Sequence, residues 1–202
     1  MKTVPTMKWS TQSKELKNST DKKSIRKKVG LTIFEMALFA MFGALMFGSK
    51  KIMEFLPNIH LLGMFTILLT VVYRKKALVP IYIYVSLDGL ISGFNAWWVP
   101  YLYIWTLLWG AVMLLPKNMP RKWAVAVYPA ICAIHGFLFG ILYSPAQAIM
   151  FGLDFRQTIA WIISGIPFDV IHGISNLIAG LLVYPLSLLL RKLSSSVSLK
   201  ST

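Results

Sequence analysis

Six apolar runs of 15 to 23 residues, parted by short charged clusters, constrain this 202-residue chain more than any other feature. At 1.5 Å of rise per residue, such runs match the roughly 30 Å hydrocarbon core of a bilayer. Lipid offers no partner to a free amide or carbonyl, so a spanning segment must be a helix or a strand of a closed barrel. Runs this long are helical, because a barrel strand needs only about 9–11 residues. A mean hydropathy of +0.65 and a hydrophobic share of 56% lie above those of ordinary soluble domains. The expected fold is an all-α integral membrane protein with six transmembrane helices.

The predicted spans are Leu31–Gly48, Ile59–Tyr73, Ala77–Gly93, Pro100–Leu115, Trp123–Tyr143 and Phe168–Leu190. They form a membrane domain over residues 31–192, preceded by a basic tail (1–30) expected to be disordered and followed by a short tail (193–202). The first run shows no cleavage site of a secretory signal and is expected to be retained. Cys132 lies mid-span and reads as a small core residue. Ser144–Pro167 is too polar and broken for a span. Ser144-Pro145 resembles an N-cap followed by Pro at N1, and Asp154 with Gln157 resembles a capping box for a second short helix stopped near Gly165 and Pro167. This stretch, about 144–167, is expected to form an outer interfacial lid.

Charge sets the orientation. The tail carries nine Lys or Arg, and three more fall in each of Arg74–Lys76, Lys117–Lys122 and Arg191–Lys200, so that 18 of 21 share one side. Only Lys50, Lys51 and Arg156 are left for the other. Short loops rich in Lys and Arg stay in the cytoplasm, which places both termini inside at the plasma membrane. The net charge of +14 is thus accounted for by insertion bias and anionic lipid, and its distribution speaks against nucleic acid as a partner.

With that orientation, nearly all polar residues within the spans gather in the outer half. Asn58 and His60 open span two, Asp88 lies in span three, and Asn95, Trp97 and Trp98 cap it. Tyr101 and Tyr103 begin span four, and His135 sits past the middle of span five. Asp169, His172 and Asn176 are spaced three and four apart, hence on one helical face. Ionisable groups at membrane depth cost about 2.5–3.5 kcal/mol even on lenient scales, so a shared polar cavity is the economical account. Each residue also has a purely structural reading. Asp88 could be a buried acid bonded to a neighbour, Asn176 an interhelical tie, His60 a loop bridge and the Trp and Tyr residues an interfacial belt. Glu35, one turn inside span one, is expected to reach the basic surface near Arg26, Lys27 or Lys28 and is not placed in the site.

In span one, Ala40 and Ala44 form an Ala-x-x-x-Ala pair that Ala37, Met41 and Gly48 extend. Small residues four apart allow close helix approach in lipid, within the chain's own bundle or with a partner.

These features together resemble the substrate-binding S component of energy-coupling factor (ECF) vitamin transporters. The resemblance rests on six spans with both termini inside, the Ala40-x-x-x-Ala44 pair, a polar-aromatic outer cavity, and the stretch Glu54-Phe-Leu-Pro-Asn-Ile-His-Leu-Leu-Gly63, similar to that family's first outer loop. It covers about residues 31–192. It implies that Ala37, Ala40 and Ala44 dock on a transmembrane coupling subunit joined to two cytoplasmic ATPases. It also implies that Leu56 to His60 gate the ligand and that this chain is not itself an enzyme. No Gly-x-x-x-x-Gly-Lys-Ser/Thr phosphate loop is present, and no cofactor is expected. The ligand is expected to be a small water-soluble vitamin or related micronutrient. The helix-four Trp/acid pattern of the thiamine-binding members is missing, which argues against thiamine.

Two other functions compete. Asp169-x-x-His172 with His60 or His135 could ligate a metal in a membrane metalloenzyme, but no His-Glu-x-x-His motif or paired acid supports catalysis. Asp88 or Asp169 could couple a stand-alone transporter to ions, but no inverted repeat is visible.

Overall fold

A computed structural model describes residues 31–200, and the basic tail (1–30) lies outside the described residues. The chain divides into two units, Met1–Leu38 and Phe39–Thr202. Among the described residues the fold is all-helical, without a strand. The helices are α1 (Ile33–Ile52), α2 (Leu62–Tyr73), α3 (Leu78–Ser92), α4 (Tyr101–Met113), α5 (Arg121–Phe137), α6 (Phe139–Phe151), α7 (Phe155–Gly180) and α8 (Val183–Lys200). Three helical segments are long and apolar enough to cross a membrane: Ile33–Ile52, Arg121–Phe151 and Phe155–Gly180. The chain is therefore read as a membrane protein. Helices α2, α3 and α4, at 12, 15 and 13 residues, are shorter than the runs that predicted them.

In the first unit, Thr32 and Glu35 make a reciprocal capping box. The Glu35 amide donates to the Thr32 hydroxyl, and the Glu35 carboxylate accepts from the Thr32 amide. The expected basic partners Arg26, Lys27 and Lys28 fall outside the described residues.

In the second unit α2 is the central helix, with every residue from Leu62 to Val71 buried. A helix that is apolar on all sides has no face to offer water, and it packs against α4, α5, α7 and α8. The most extensive pairing is α5 with α7. Its tightest point is glycine on glycine: a Cβ added to Gly136 would meet the Gly173 Cα and the His172 carbonyl oxygen, both at 2.8 Å.

The expected lid is replaced by continuous helix. Pro145 lies inside α6 rather than at a helix start, and α7 runs through Gly165 and Pro167. Proline withholds the amide that would bond the carbonyl four residues back. At Pro145 that carbonyl belongs to Ile141, and the Ser144 hydroxyl donates to it at 2.9 Å, repairing the gap. Ser144 thus serves the helix interior instead of capping an end. The Asp154/Gln157 capping box is present at the start of α7, with both reciprocal bonds formed.

The predicted sixth span is also redrawn. Residues 168–190 are divided between α7 and α8 by a turn at Leu181 and Leu182. Pro185 sits in the first turn of α8 and its ring would collide with the Leu181 carbonyl in an unbroken helix. Beyond Arg191 and Lys192, residues expected to form a tail continue α8 to Lys200.

Candidate functional site

A cavity of about 200 Å³ opens where α1 ends and α2 begins. Its walls are the connecting loop (Met53, Glu54, Leu56 to His60), Lys50 of α1, Tyr101 of α4, Phe139 of α6 and His172 of α7. The loop is pinned where it meets α7, since the Ser175 hydroxyl lies 3.3 Å from the Asn58 carbonyl oxygen. Asn58 adopts a left-handed backbone (φ 61°), a conformation that asparagine tolerates better than most residues.

Rings line and floor this cavity. His60 and His172 meet edge to face with centroids 4.5 Å apart, and Phe139 lies 4.7 Å from His172. Beneath them Trp105, only 1% exposed, contacts His60, Tyr101, His135 and Phe139 at 5.6 to 6.2 Å. Close crossing of α5 and α7 at Gly136 and Gly173 is what brings His135 and His172 to this level. Several buried polar atoms here have no hydrogen-bond partner among the described residues: His60 Nδ1, Trp105 Nε1, His135 Nδ1 and His172 Nε2. Buried polar groups are seldom left so, and a cluster of them beside a cavity suits a polar ligand.

A second cavity, of about 280 Å³, is lined by Lys50, Glu54, Ser92 and Trp97. Lys50 is common to both. Its ammonium is ion-paired to Asp88, whose side chain is fully buried, and stands 5.0 Å from the ring centroids of Trp97 and Tyr101.

The structure thus brings together Asn58, His60, Asp88, Trp97, Tyr101 and His172, with His135 directly below. It separates four others. Asn95 is exposed in the turn after Gly93 and lines neither cavity. The Trp98 indole N–H donates to the Val85 carbonyl at 2.8 Å, tying the α3–α4 turn to α3. Asp169 shares a helical face with His172, but both its oxygens accept from the Gly140 amide at 3.0 and 3.1 Å. Gly140 is in the first turn of α6, where amides lack an intrahelical acceptor, so Asp169 caps a neighbouring helix instead of facing the cavity. Asn176, one turn below His172, is fully buried against Gly63 and Cys132, with neither side-chain polar atom partnered among the described residues.

Lys50, Trp105 and Phe139 escaped the sequence reading. Lys50 ends an apolar run and was assigned to a loop, while Trp105 and Phe139 look like any aromatic residue within a span. The signal available for Lys50 was an opposite charge, Asp88, at the same predicted end of the bundle. No group of three His, Cys, Asp or Glu residues placed to hold a metal ion occurs among the described residues. Comparison of the chain with protein-family models, with curated proteins and with solved structures finds no match.

Proposed function

We propose that the chain is the substrate-capture subunit of an ATP-driven importer of the ECF type, taking a vitamin or related micronutrient from outside the cell. In this reading it crosses the plasma membrane six times with both termini cytoplasmic. The Arg121–Phe151 and Phe155–Gly180 segments then extend past the bilayer on the outer side, where a lid was expected. The cavity carries the proposal. It is ring-walled and polar, it lies at one end of the bundle, and its floor is closed by buried Trp105 and His135. A site closed from below suits capture from one side, with release left to movement of the whole subunit.

Charge supports the orientation. Arg191 and Lys117 meet beside Val71 at the far end of α2, and Arg74 bonds the Met113 and Leu115 carbonyls there. The cavity end is therefore the end away from these basic groups, and basic groups favour the cytoplasm. Exposure on α1 supports docking. Ala40 and Ala44 are exposed while Phe39, Gly43 and Met46 are buried, and in the first unit Ala37 is also exposed. Exposed small residues on a lipid-facing helix allow a partner helix to approach closely. That partner would be the transmembrane coupling subunit, with two ATPases beneath it.

Native mass spectrometry of the detergent-purified chain identifies the ligand through a co-purifying organic mass. Uptake of that compound is then measured for the Ala40→Leu/Ala44→Leu double variant. Loss of uptake with retained ligand binding is expected; undiminished uptake would sink the docking reading.

A further inference from the structure

Lys50 is the wall between the two cavities, and its own surroundings describe what the site recognises. Its head is enclosed by the faces of Trp97 and Tyr101 and by the buried Asp88 carboxylate. Two aromatic faces and a desolvated carboxylate form a binding place for an organic cation, because ring quadrupoles and a buried negative charge both favour a cation that sheds water readily. An anionic ligand would meet a lysine already neutralised. Drawing Lys50 toward that anion would strand Asp88 as an unpaired buried charge. A cation that takes the place of Lys50 leaves Asp88 paired throughout.

The lysine is also able to leave. Its side chain retains 20% exposure, against none for Asp88. Glu54 lines both cavities and offers the displaced ammonium a carboxylate nearer solvent, its side chain being 63% exposed. With Lys50 withdrawn, cavities of about 200 and 280 Å³ join. Their joint space falls in the range of about 300–1,000 Å³ usual for small-molecule sites. The rings of His60 and Phe139 then border the far side of a ligand whose charged end rests on Asp88.

We infer that Lys50 is an internal stand-in for the cationic group of the ligand. The site takes a small organic cation, an ammonium or charged ring nitrogen on an apolar or aromatic body, which displaces Lys50 from Asp88, Trp97 and Tyr101. This inference rests on the reading of the cavity as a capture site.

The test is a tryptophan-fluorescence titration of the purified full chain with three probes of one shape: benzylammonium, benzyl alcohol and benzoate. Saturable quenching by benzylammonium is expected, with the neutral and anionic probes weaker by about tenfold or more, a difference easily resolved in dissociation constants. Lys50→Ala, which empties the cage, should bind benzylammonium about tenfold more tightly than the wild type, and Asp88→Asn should lose it. Preference for benzoate that disappears in Lys50→Ala would overturn the inference, making Lys50 an anion anchor. Equal binding of all three probes, or of none, would overturn it as well. If Lys50→Ala does not fold, the ranking of probes by the wild-type chain decides alone. Cation binding together with undiminished uptake in the Ala40/Ala44 double variant would leave the cage standing and remove the importer reading. Loss of uptake in that variant with no cation preference would do the reverse.

Discussion

Gly136 of α5 and Gly173 of α7 cross backbone to backbone, so close that a Cβ on Gly136 would lie 2.8 Å from the Gly173 Cα. Backbone cannot swing aside as the end of a side chain can. The contact therefore fixes the spacing of the two helices, and with it the level at which His135 and His172 enter the site.

Gly136→Ala should force α5 and α7 apart and destabilise the protein by about 1–3 kcal/mol, the usual cost of overpacking. Thermal unfolding in detergent measures this. A variant as stable as the wild type would show that the crossing is not tight.

Asp169 is expected to act on stability and not on ligand contact. Asp169→Ala removes the acceptor for the Gly140 amide and should cost about 0.5–2 kcal/mol, as loss of a helix cap does, while Asp169→Asn keeps one oxygen in place and should cost less. Ligand affinity measured on folded Asp169→Asn should stay within a few-fold of the wild type. Complete loss of binding there would return Asp169 to the site.

Ser144 and Pro145 should be energetically coupled. Ser144→Ala leaves the Ile141 carbonyl without its donor and should cost about 1 kcal/mol. In a Pro145→Ala background the restored amide can bond that carbonyl, so the same serine change should cost almost nothing. A double-mutant cycle measures the coupling; additive effects would contradict the repair.

Asn176 offers a stability–function trade. Its amide is fully buried without a hydrogen-bond partner among the described residues, so Asn176→Leu, of similar size, should raise stability by about 1–2 kcal/mol. If the amide serves the ligand across the narrow gap to His172, the same change should weaken binding. Lower stability in Asn176→Leu would mean that the amide is already satisfied in the folded protein.

Much of the local structure was legible. The α7 capping box could be read from Asp154 and Gln157 because the N-cap and N3 side chains act on amides within one turn. The prolines misled the reading, since breaker chemistry at Pro145 and Pro167 was scored without the surrounding structure that supports an interrupted ladder. At Pro145 that support is a single neighbouring hydroxyl. At Pro185 the same chemistry did end a helix, and there the reading had run one span straight through it.

The site was partly legible for a similar reason. Helical spacing placed Asp169, His172 and Asn176 on one face, but a face is not a cavity, and only His172 lines it. By itself the sequence determined that the chain is helical and apolar enough for a membrane, and that its polar residues crowd toward one end. These properties follow from composition and from periodicity within single segments. The tertiary structure decided which polar group answers which: Lys50 with Asp88, 38 residues apart, and Asp169 with Gly140, 29 apart. Such pairings depend on how far helices slide and turn against each other. That is set by contacts such as glycine on glycine, whose consequences appear only when both helices are in place.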